Sequence, residues 1–140
     1  MQPILFGEHR HTLDAKGRLC IPARILKTLG DPFYVVKGYG VYLNVYSSAA
    51  WEDLARKLSA LPAEQARVVR REIFSSAQEC TADGQGRILI AHNLREYAKI
   101  ETSVVVAGAE KYAEIWDSAL WDGREKPEDI IKTALNLIDM

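Results

Sequence analysis

The chain has 140 residues, of which 48% are hydrophobic and 26% charged, as in an ordinary globular domain. No apolar run approaches the roughly 20 residues that span a bilayer, and the first residues lack the basic start and long apolar core of a signal peptide. The composition therefore argues against a membrane protein and favours a cytoplasmic one.

The charge is distributed unevenly along the chain, although its net value is only −1. Residues 110–140 hold four basic and eight acidic residues, which leaves 14 basic and 11 acidic residues in 1–109, a net charge of +3 there. A mildly basic body with an acidic tail permits nucleic-acid binding. The two cysteines are too few for a disulfide framework or a zinc ribbon, and Cys20, inside an apolar run, is expected to be buried.

In chain order, the first half predicts a strand over 6–13, a turn at 14–17, a strand over 18–21 and a helix over 23–29. Pro22 suits the first turn of that helix, and Gly30 suits its end. A second hairpin is predicted from a strand over 33–37 and another over 41–46.

The middle of the chain predicts two helices. The first is opened by Ser47 or Ser48 and broken at Leu61-Pro62, and the second extends from Ala63 to about Gln78. Arg67, Arg70 and Arg71 lie off the apolar stripe of the second helix and are expected to face solvent. The alternative is that they contact phosphate or another subunit.

The last part predicts a strand over 87–90, a short helix over 93–98, strands over 103–107 and 112–116, and a terminal helix in the last twenty residues. From residue 87 onward this order repeats that of the first half from residue 18 onward.

One sequence motif occurs in both halves. The pattern Thr-x-Asp-x-x-Gly-Arg followed by three apolar residues spans 12–21 and returns at 81–90, an offset of 69. A match at several fixed positions indicates one fold unit used twice. The repeats cover about 6–52 and 76–122 within a single domain, joined by helices at about 48–78 and followed by a helical tail at about 123–140.

The predicted fold class is α+β and mainly β. Hairpins of this length cannot bury both faces of their sheets alone, so two ββαββ repeats are expected to close on each other as a small pseudo-symmetric β-barrel with flanking helices. The apolar triplets at 19–21 and 88–90 are expected to form its core.

In each motif an Asp begins the turn and an Arg ends it, at Asp14 and Arg18 and again at Asp83 and Arg87. A hairpin would bring each pair into contact, which stabilises the turn and orients the guanidinium. An oriented Arg can bind guanine or phosphate oxygens, turn amides can add donors, and a two-stranded ribbon fits the major groove of DNA. Retention of the pair in both copies favours this function over a purely structural role.

Other chemistries have weaker support. His9 and His11 share a face of one strand, but solvated strand histidines are commoner than metal ligands, so no metal or cofactor is expected. Neither Asp14 nor Asp83 has a His or nucleophile at a telling spacing. The sequence predicts no catalytic residue and no enzyme.

The segments Asp14-Ala-Lys-Gly-Arg18-Leu-Cys-Ile-Pro22 and Asp83-Gly-Gln-Gly-Arg87-Ile-Leu-Ile resemble the two Asp-x-x-x-Arg signatures of the MraZ family of bacterial transcriptional regulators. Similarity extends to residues 6–7, 76–80 and 114–117 and covers nearly the whole chain. The resemblance implies a double-split barrel of the AbrB/MazE-like superfamily. It also implies a ring of about eight to twelve subunits that binds repeated boxes of double-stranded DNA upstream of the division and cell wall gene cluster.

The resemblance also implies the residues that face DNA and a nucleoid-associated location in the cytoplasm. Arg18 and Arg87 would contact DNA, supported by Asp14 and Asp83, with Lys16 nearby. Arg10 is added from its expected place on the first hairpin. Repeat one keeps Pro22 after its triplet while repeat two has Ala91, which is expected to weaken the start of the second helix.

Two alternatives remain open. The hairpins could serve as subunit contacts of an oligomeric protein-interaction module, a role that can overlap with DNA binding. The fold family also suggests an antitoxin-like binder of a protein toxin.

Overall fold

The computed structural model describes residues 4–140. These form eight strands: β1 Glu8–Thr12, β2 Arg18–Cys20, β3 Phe33–Lys37, β4 Leu43–Ser47, β5 Gln78–Cys80, β6 Arg87–Leu89, β7 Ser103–Gly108 and β8 Ala113–Asp117. They also form six α-helices: α1 Ala23–Leu29, α2 Ser48–Ser59, α3 Ala63–Glu72, α4 His92–Tyr97, α5 Ser118–Asp122 and α6 Glu128–Leu137. The predicted α+β fold of two ββαββ repeats with flanking helices is confirmed.

The helix boundaries follow from local chemistry. Helix α1 begins after Pro22 and ends before Gly30, which has a φ of +72° that few other residues tolerate. Helix α2 is capped by Ser47, whose Oγ accepts a hydrogen bond from the Ala50 amide at 3.2 Å. Both helices lie where the sequence predicts them.

The strands are divided between two antiparallel sheets. A six-stranded sheet has the order β1-β7-β8-β4-β3-β5, and β2 pairs with β6 in a separate two-stranded sheet, which we call the ribbon. If each strand is replaced by its counterpart in the other repeat, the same order is obtained, read from the opposite edge. The large sheet is therefore pseudo-symmetric. Within residues 4–140 no closed barrel forms, so the pseudo-symmetry is realised as a large sheet packed with the ribbon.

The pairing between the repeats corrects the predicted first hairpin. Strand β1 does not pair with β2; it pairs with β7, from Glu8 opposite Ala107 to Thr12 opposite Ser103. By the same exchange, β5 of repeat two pairs with β3 of repeat one. We call this arrangement strand exchange. It places Leu19 opposite Ile88 in the ribbon, and both side chains are buried, so pairing across the repeats completes the core.

The core lies between the ribbon and the large sheet. Its buried side chains come from both repeats and include Leu19, Ile21, Ile25, Phe33, Val35, Leu43, Ile88, Ile90, Leu94, Val104 and Ile115. The middle residue of each apolar triplet points outward, because successive side chains of a strand alternate between its faces. The prediction that Cys20 is buried is therefore wrong: Cys20 is exposed, as is Leu89 in the second triplet.

Helix α3 is shorter than predicted. It ends at Glu72, a 3-10 turn covers Phe74–Ser76, and residues 78–80 form β5 instead of the last helical turn. The hydroxyl of Ser76 donates to the Ile73 carbonyl at 2.6 Å, a local bond that competes with helix continuation. Pairing of β5 with β3 then fixes the extended conformation.

The predicted terminal helix is present as α6, which buries none of its residues. Its exposed apolar side chains include Ile130, Ile131 and Leu137. Among residues 4–140, no helix has both the length and the hydrophobicity required to cross a bilayer.

Candidate nucleic-acid interface

The first motif folds as a tight turn over residues 14–17, which we call turn one. Oδ1 of Asp14 accepts hydrogen bonds from the amides of Lys16 and Arg18, each at 2.9 Å. The Gly17 amide donates to the Asp14 carbonyl at 3.0 Å, and Gly17 has a φ of +80°, which explains the glycine. These amides are bonded within the turn, so the predicted role of turn amides as phosphate donors does not extend to them.

The second motif has the same geometry in turn two, residues 83–86. Oδ1 of Asp83 accepts from the amides of Gln85 at 2.9 Å and Arg87 at 3.0 Å. Gly86 has a φ of +78°. Both copies of the sequence motif therefore form the same hydrogen bonds between the Asp carboxylate and the turn amides.

The predicted carboxylate–guanidinium pairs are present in both repeats. Nε of Arg18 donates to Oδ2 of Asp14 at 2.7 Å, and Nε of Arg87 donates to Oδ2 of Asp83 at 3.0 Å. Within residues 4–140, the terminal nitrogens of these arginines make no hydrogen bond. Their side chains are 33% and 29% exposed. Each guanidinium is therefore oriented through Nε and keeps its terminal donors for a ligand.

The turn amides also fix the charge of the two carboxylates. The pKa of Asp14 is lowered from its ordinary value, first by the hydrogen bond from the Arg18 amide and further by the Arg18 side chain and the Lys16 amide. The pKa of Asp83 is lowered in the same way, first by the Arg87 amide. Both groups are ionised at neutral pH and hold their arginines as ion pairs.

The ribbon brings the two arginines onto one face. Arg18 lies opposite Leu89 and Cys20 opposite Arg87, and these four side chains point away from the buried Leu19–Ile88 pair. The arginines are diagonal neighbours, a relation that places residues about 7–8 Å apart, with their Cβ atoms somewhat closer. The turns lie at opposite ends of the ribbon, because the Ile90 amide donates to the Gly17 carbonyl and the Ile21 amide to the Gly86 carbonyl.

Two outward hairpins on one barrel would present residues 16–18 and 86–87 side by side, and this prediction from the sequence is wrong. The arginines converge through antiparallel pairing of β2 with β6, while turn one and turn two point to opposite ends. Lys16 is exposed at the tip of turn one, and the corresponding residue of turn two is Gln85.

Arg10 lies elsewhere in the fold. It belongs to β1 in the large sheet, and its terminal nitrogens donate to both carboxylate oxygens of Asp122 at 2.7 and 3.2 Å. It also contacts Ser118 and Glu8. The prediction that Arg10 and Arg18 lie on the same hairpin is wrong, because β1 pairs with β7 and not with β2. Arg10 instead holds α5 against the edge strand.

One arginine beside turn one was missed by the sequence reasoning. Nε of Arg95 in α4 donates to the Ile90 carbonyl at 3.0 Å, and its Cζ lies 2.9 Å from the position that a Cβ on Gly17 would occupy. At the repeat offset of 69 the corresponding residue is Leu26, whose Cδ1 lies 3.4 Å from the Cβ position of Gly86. Aligning the repeats matches an arginine with a leucine and so gives no motif.

Helix α4 begins at His92 directly after Ala91, as α1 begins directly after Pro22. The Ala91 amide donates to Oε1 of Gln78 at 2.9 Å, and Nε2 of Gln78 donates to the Leu89 carbonyl. Pro22 has no amide hydrogen to satisfy. Where the first repeat has a proline, the second repeat thus has an amide that donates a hydrogen bond to the Gln78 side chain.

Residues 4–140 contain no group of three or more His, Cys, Asp or Glu side chains arranged to hold a metal ion. Nε2 of His9 is buried without a hydrogen-bond partner there. Arg67, Arg70 and Arg71 are exposed on α3, as the sequence predicts.

Comparison with known proteins finds relatives that match nearly the whole chain. Residues 4–71 and 73–131 match the family model described as "MraZ protein, putative antitoxin-like". The chain is 41% identical over 141 residues to the transcriptional regulator MraZ of Desulforamulus reducens, with 98% of this chain and 99% of that protein covered. It is 45% identical over 134 residues to that of Desulfitobacterium hafniense, with 94% of each covered. For Moorella thermoacetica the identity is 41% over 140 residues, covering 97% and 98%.

Proposed function

The chain belongs to the MraZ family of transcriptional regulators, and we propose that it regulates transcription by binding double-stranded DNA through the ribbon. The observation that carries this proposal is the pair of carboxylate-oriented arginines on one exposed ribbon face. Asp14 and Asp83 orient them, and Lys16 adds a cation at one end.

The chemistry of this face suits DNA. A guanidinium held through Nε presents its terminal nitrogens as a planar fork, which matches phosphate oxygens or the O6 and N7 atoms of guanine. A two-stranded ribbon is narrow enough for the major groove. Exposed Leu89 between the arginines offers an apolar contact of the kind that thymine methyl groups make.

The DNA target we propose is a set of repeated boxes upstream of the division and cell wall gene cluster. The binding species is a ring homo-oligomer of about eight to twelve subunits. A chain of net charge −1 offers few cations, so one ribbon alone is expected to bind DNA weakly. In a ring, binding of one ribbon raises the effective concentration of the next ribbon at the neighbouring box, which increases the overall affinity. Exposed apolar residues support self-association, notably Ile130 and Leu137 on α6 and Val68 on α3.

The test is fluorescence anisotropy with the DNA upstream of the chain's own gene and a scrambled duplex of equal length. We expect wild type to prefer the natural sequence and to bind less tightly as salt rises, because phosphate contacts release counterions. Arg18→Ala and Arg87→Ala should each lower affinity at least about tenfold. Arg56→Ala is the control, since Arg56 pairs with Asp53 on exposed α2.

Size-exclusion chromatography of the same variants separates the alternatives. An oligomer that stays intact while binding is lost supports DNA contact. If Arg18→Ala instead produces smaller species, the arginine is a subunit contact. Wild-type affinity in both ribbon variants would rule out the ribbon as the DNA site.

A further inference from the structure

The two ends of the ribbon differ in charge although their backbones match. Turn one is flanked by Lys16, Arg18 and Arg95, three cations against the carboxylate of Asp14, a net charge of +2. Turn two has Gln85, Arg87 and Leu26 in the corresponding places, one cation against Asp83 and a net charge of zero. The pseudo-symmetry of the fold is therefore broken electrostatically.

Arg95 is placed by two contacts that leave most of its donors free. Its Nε donates a hydrogen bond to the Ile90 carbonyl, and the Ile90 amide in turn donates to the Gly17 carbonyl. Its guanidinium then lies against Gly17, which has no side chain to exclude it. Within the described residues 4–140, its terminal nitrogens have no hydrogen-bond partner and it forms no ion pair. Arg18 and Arg95 are thus both held through Nε, but the acceptor is a carboxylate for Arg18 and a backbone carbonyl for Arg95.

An unpaired guanidinium next to an exposed lysine and an oriented arginine suits a phosphate group. We propose that Arg95 is a third DNA-contacting arginine, which binds backbone phosphate beside turn one. The turn-one end of the ribbon then carries the larger electrostatic share of affinity. This inference rests on the proposed function of the ribbon.

The competing role for Arg95 is structural, because its Nε also ties α4 to the end of β6. Salt dependence separates the two roles. Removing a phosphate contact lowers the slope of log affinity against log salt by about one for each subunit bound, whereas loosening α4 lowers thermal stability without a defined change in slope.

The experiment compares Arg95→Leu, which copies the residue of the other repeat, with Arg95→Lys, which keeps the charge. Affinity for the upstream duplex is measured across a salt series, together with thermal unfolding. We expect Arg95→Leu to lower affinity about tenfold at low salt and to reduce the slope by about one per subunit, while Arg95→Lys retains the slope. Leu26→Arg, the reciprocal change at turn two, should increase the slope.

Each outcome bears on a separate claim. If Arg18→Ala loses binding while Arg95→Leu keeps the wild-type affinity and slope, this inference is wrong and the proposed function stands. If Arg95→Leu and Arg95→Lys weaken binding equally and share a lower unfolding temperature with an unchanged slope, the role of Arg95 is structural and the inference is overturned. If wild type fails to bind the duplex specifically, the proposed function itself fails.

Discussion

At the scale of single residues, one carboxylate performs two tasks in each repeat. Oδ1 of Asp14 accepts the turn amides, and Oδ2 fixes Nε of Arg18 at 2.7 Å. Turn stability and arginine orientation therefore depend on the same ionisation state. Asp83 and Arg87 share this dependence.

The lowered pKa values of Asp14 and Asp83 predict how stability varies with pH. A carboxyl group with a lower pKa in the folded state contributes stability above its ordinary value of 3.8, and this contribution is lost as pH falls through the folded-state pKa. We expect the urea midpoint to decrease below about pH 4. The double variant Asp14→Asn, Asp83→Asn should show a shallower decrease.

Asp53 distinguishes an ion-paired carboxylate in a turn from one elsewhere on the surface. Its pKa is also lowered, first by the Lys57 side chain, but it lies on exposed α2 away from either turn. Asp53→Asn should leave the arginine-dependent DNA binding intact at neutral pH. Equal acid sensitivity of wild type and the double variant would contradict the assignment to the turns.

Gly17 and Gly86 form a matched pair of sites, with φ values of +80° and +78°. Alanine at either position is strained, and we expect each change to lower the free energy of unfolding by about 1–2 kcal/mol. Only at Gly17 must the new methyl group displace Arg95, because the contact at Gly86 is an ordinary one at 3.4 Å to Leu26. Gly17→Ala should therefore weaken DNA binding more than Gly86→Ala, as measured by anisotropy at equal fractions folded.

The residue scale also marks how far the sequence could predict the site. Asp14 and Arg18 were predictable, since a turn of fixed length forces them together and the motif recurs. Arg95 was not, because it reaches turn one from α4 through tertiary packing and has no counterpart in repeat one. Arg10 was misplaced for a related reason: its partner Asp122 is 112 residues away in sequence.

At the scale of elements, local sequence signals predict some helices and strands correctly but not all of them. Helix α1 and strand β3 lie at their predicted residues, since Pro22, Gly30 and the period of apolar residues agree. The prediction failed between 73 and 80, where an apolar stripe continues but the chain leaves the helix. Pairing with β3 fixes residues 78–80 as a strand. The spacing of apolar residues carries no information about a partner strand in the other repeat.

The cap of α2 gives a prediction at this scale. Ser47→Ala removes the acceptor of the Ala50 amide and should lower the free energy of unfolding by about 1 kcal/mol. Ser59→Ala is the matched control, because within residues 4–140 the exposed Ser59 hydroxyl bonds only to the Ala55 carbonyl near the other end of the helix. Its effect should stay within about 0.5 kcal/mol, measured by urea unfolding. Equal effects would show that Ser47 does not act as a cap.

At the scale of the whole molecule, strand exchange makes the two repeats interdependent. Neither half contains a complete sheet, since β1 relies on β7 of the other repeat and β5 relies on β3 of the other repeat. The ribbon likewise takes one strand from each repeat. The core is shared accordingly, since both repeats contribute buried side chains to it.

A division of the chain at Leu61 tests this interdependence. We expect the fragments 1–61 and 62–140 to remain unfolded as monomers, and to fold when mixed or when paired with a second copy. Circular dichroism across a concentration series measures this, since folding that requires pairing shifts with concentration. Cooperative, concentration-independent unfolding of either fragment as a monomer would contradict it.

Strand exchange also has a consequence for how such a protein can diverge. If a single repeat assembled as two separate copies, every substitution would appear in both, and the two ends of the ribbon would be obliged to match. Joined in one polypeptide, the repeats share a core yet inherit changes independently. Arg95 in the place of Leu26, Gln85 in the place of Lys16 and Ala91 in the place of Pro22 are differences that two identical copies of one repeat could not have.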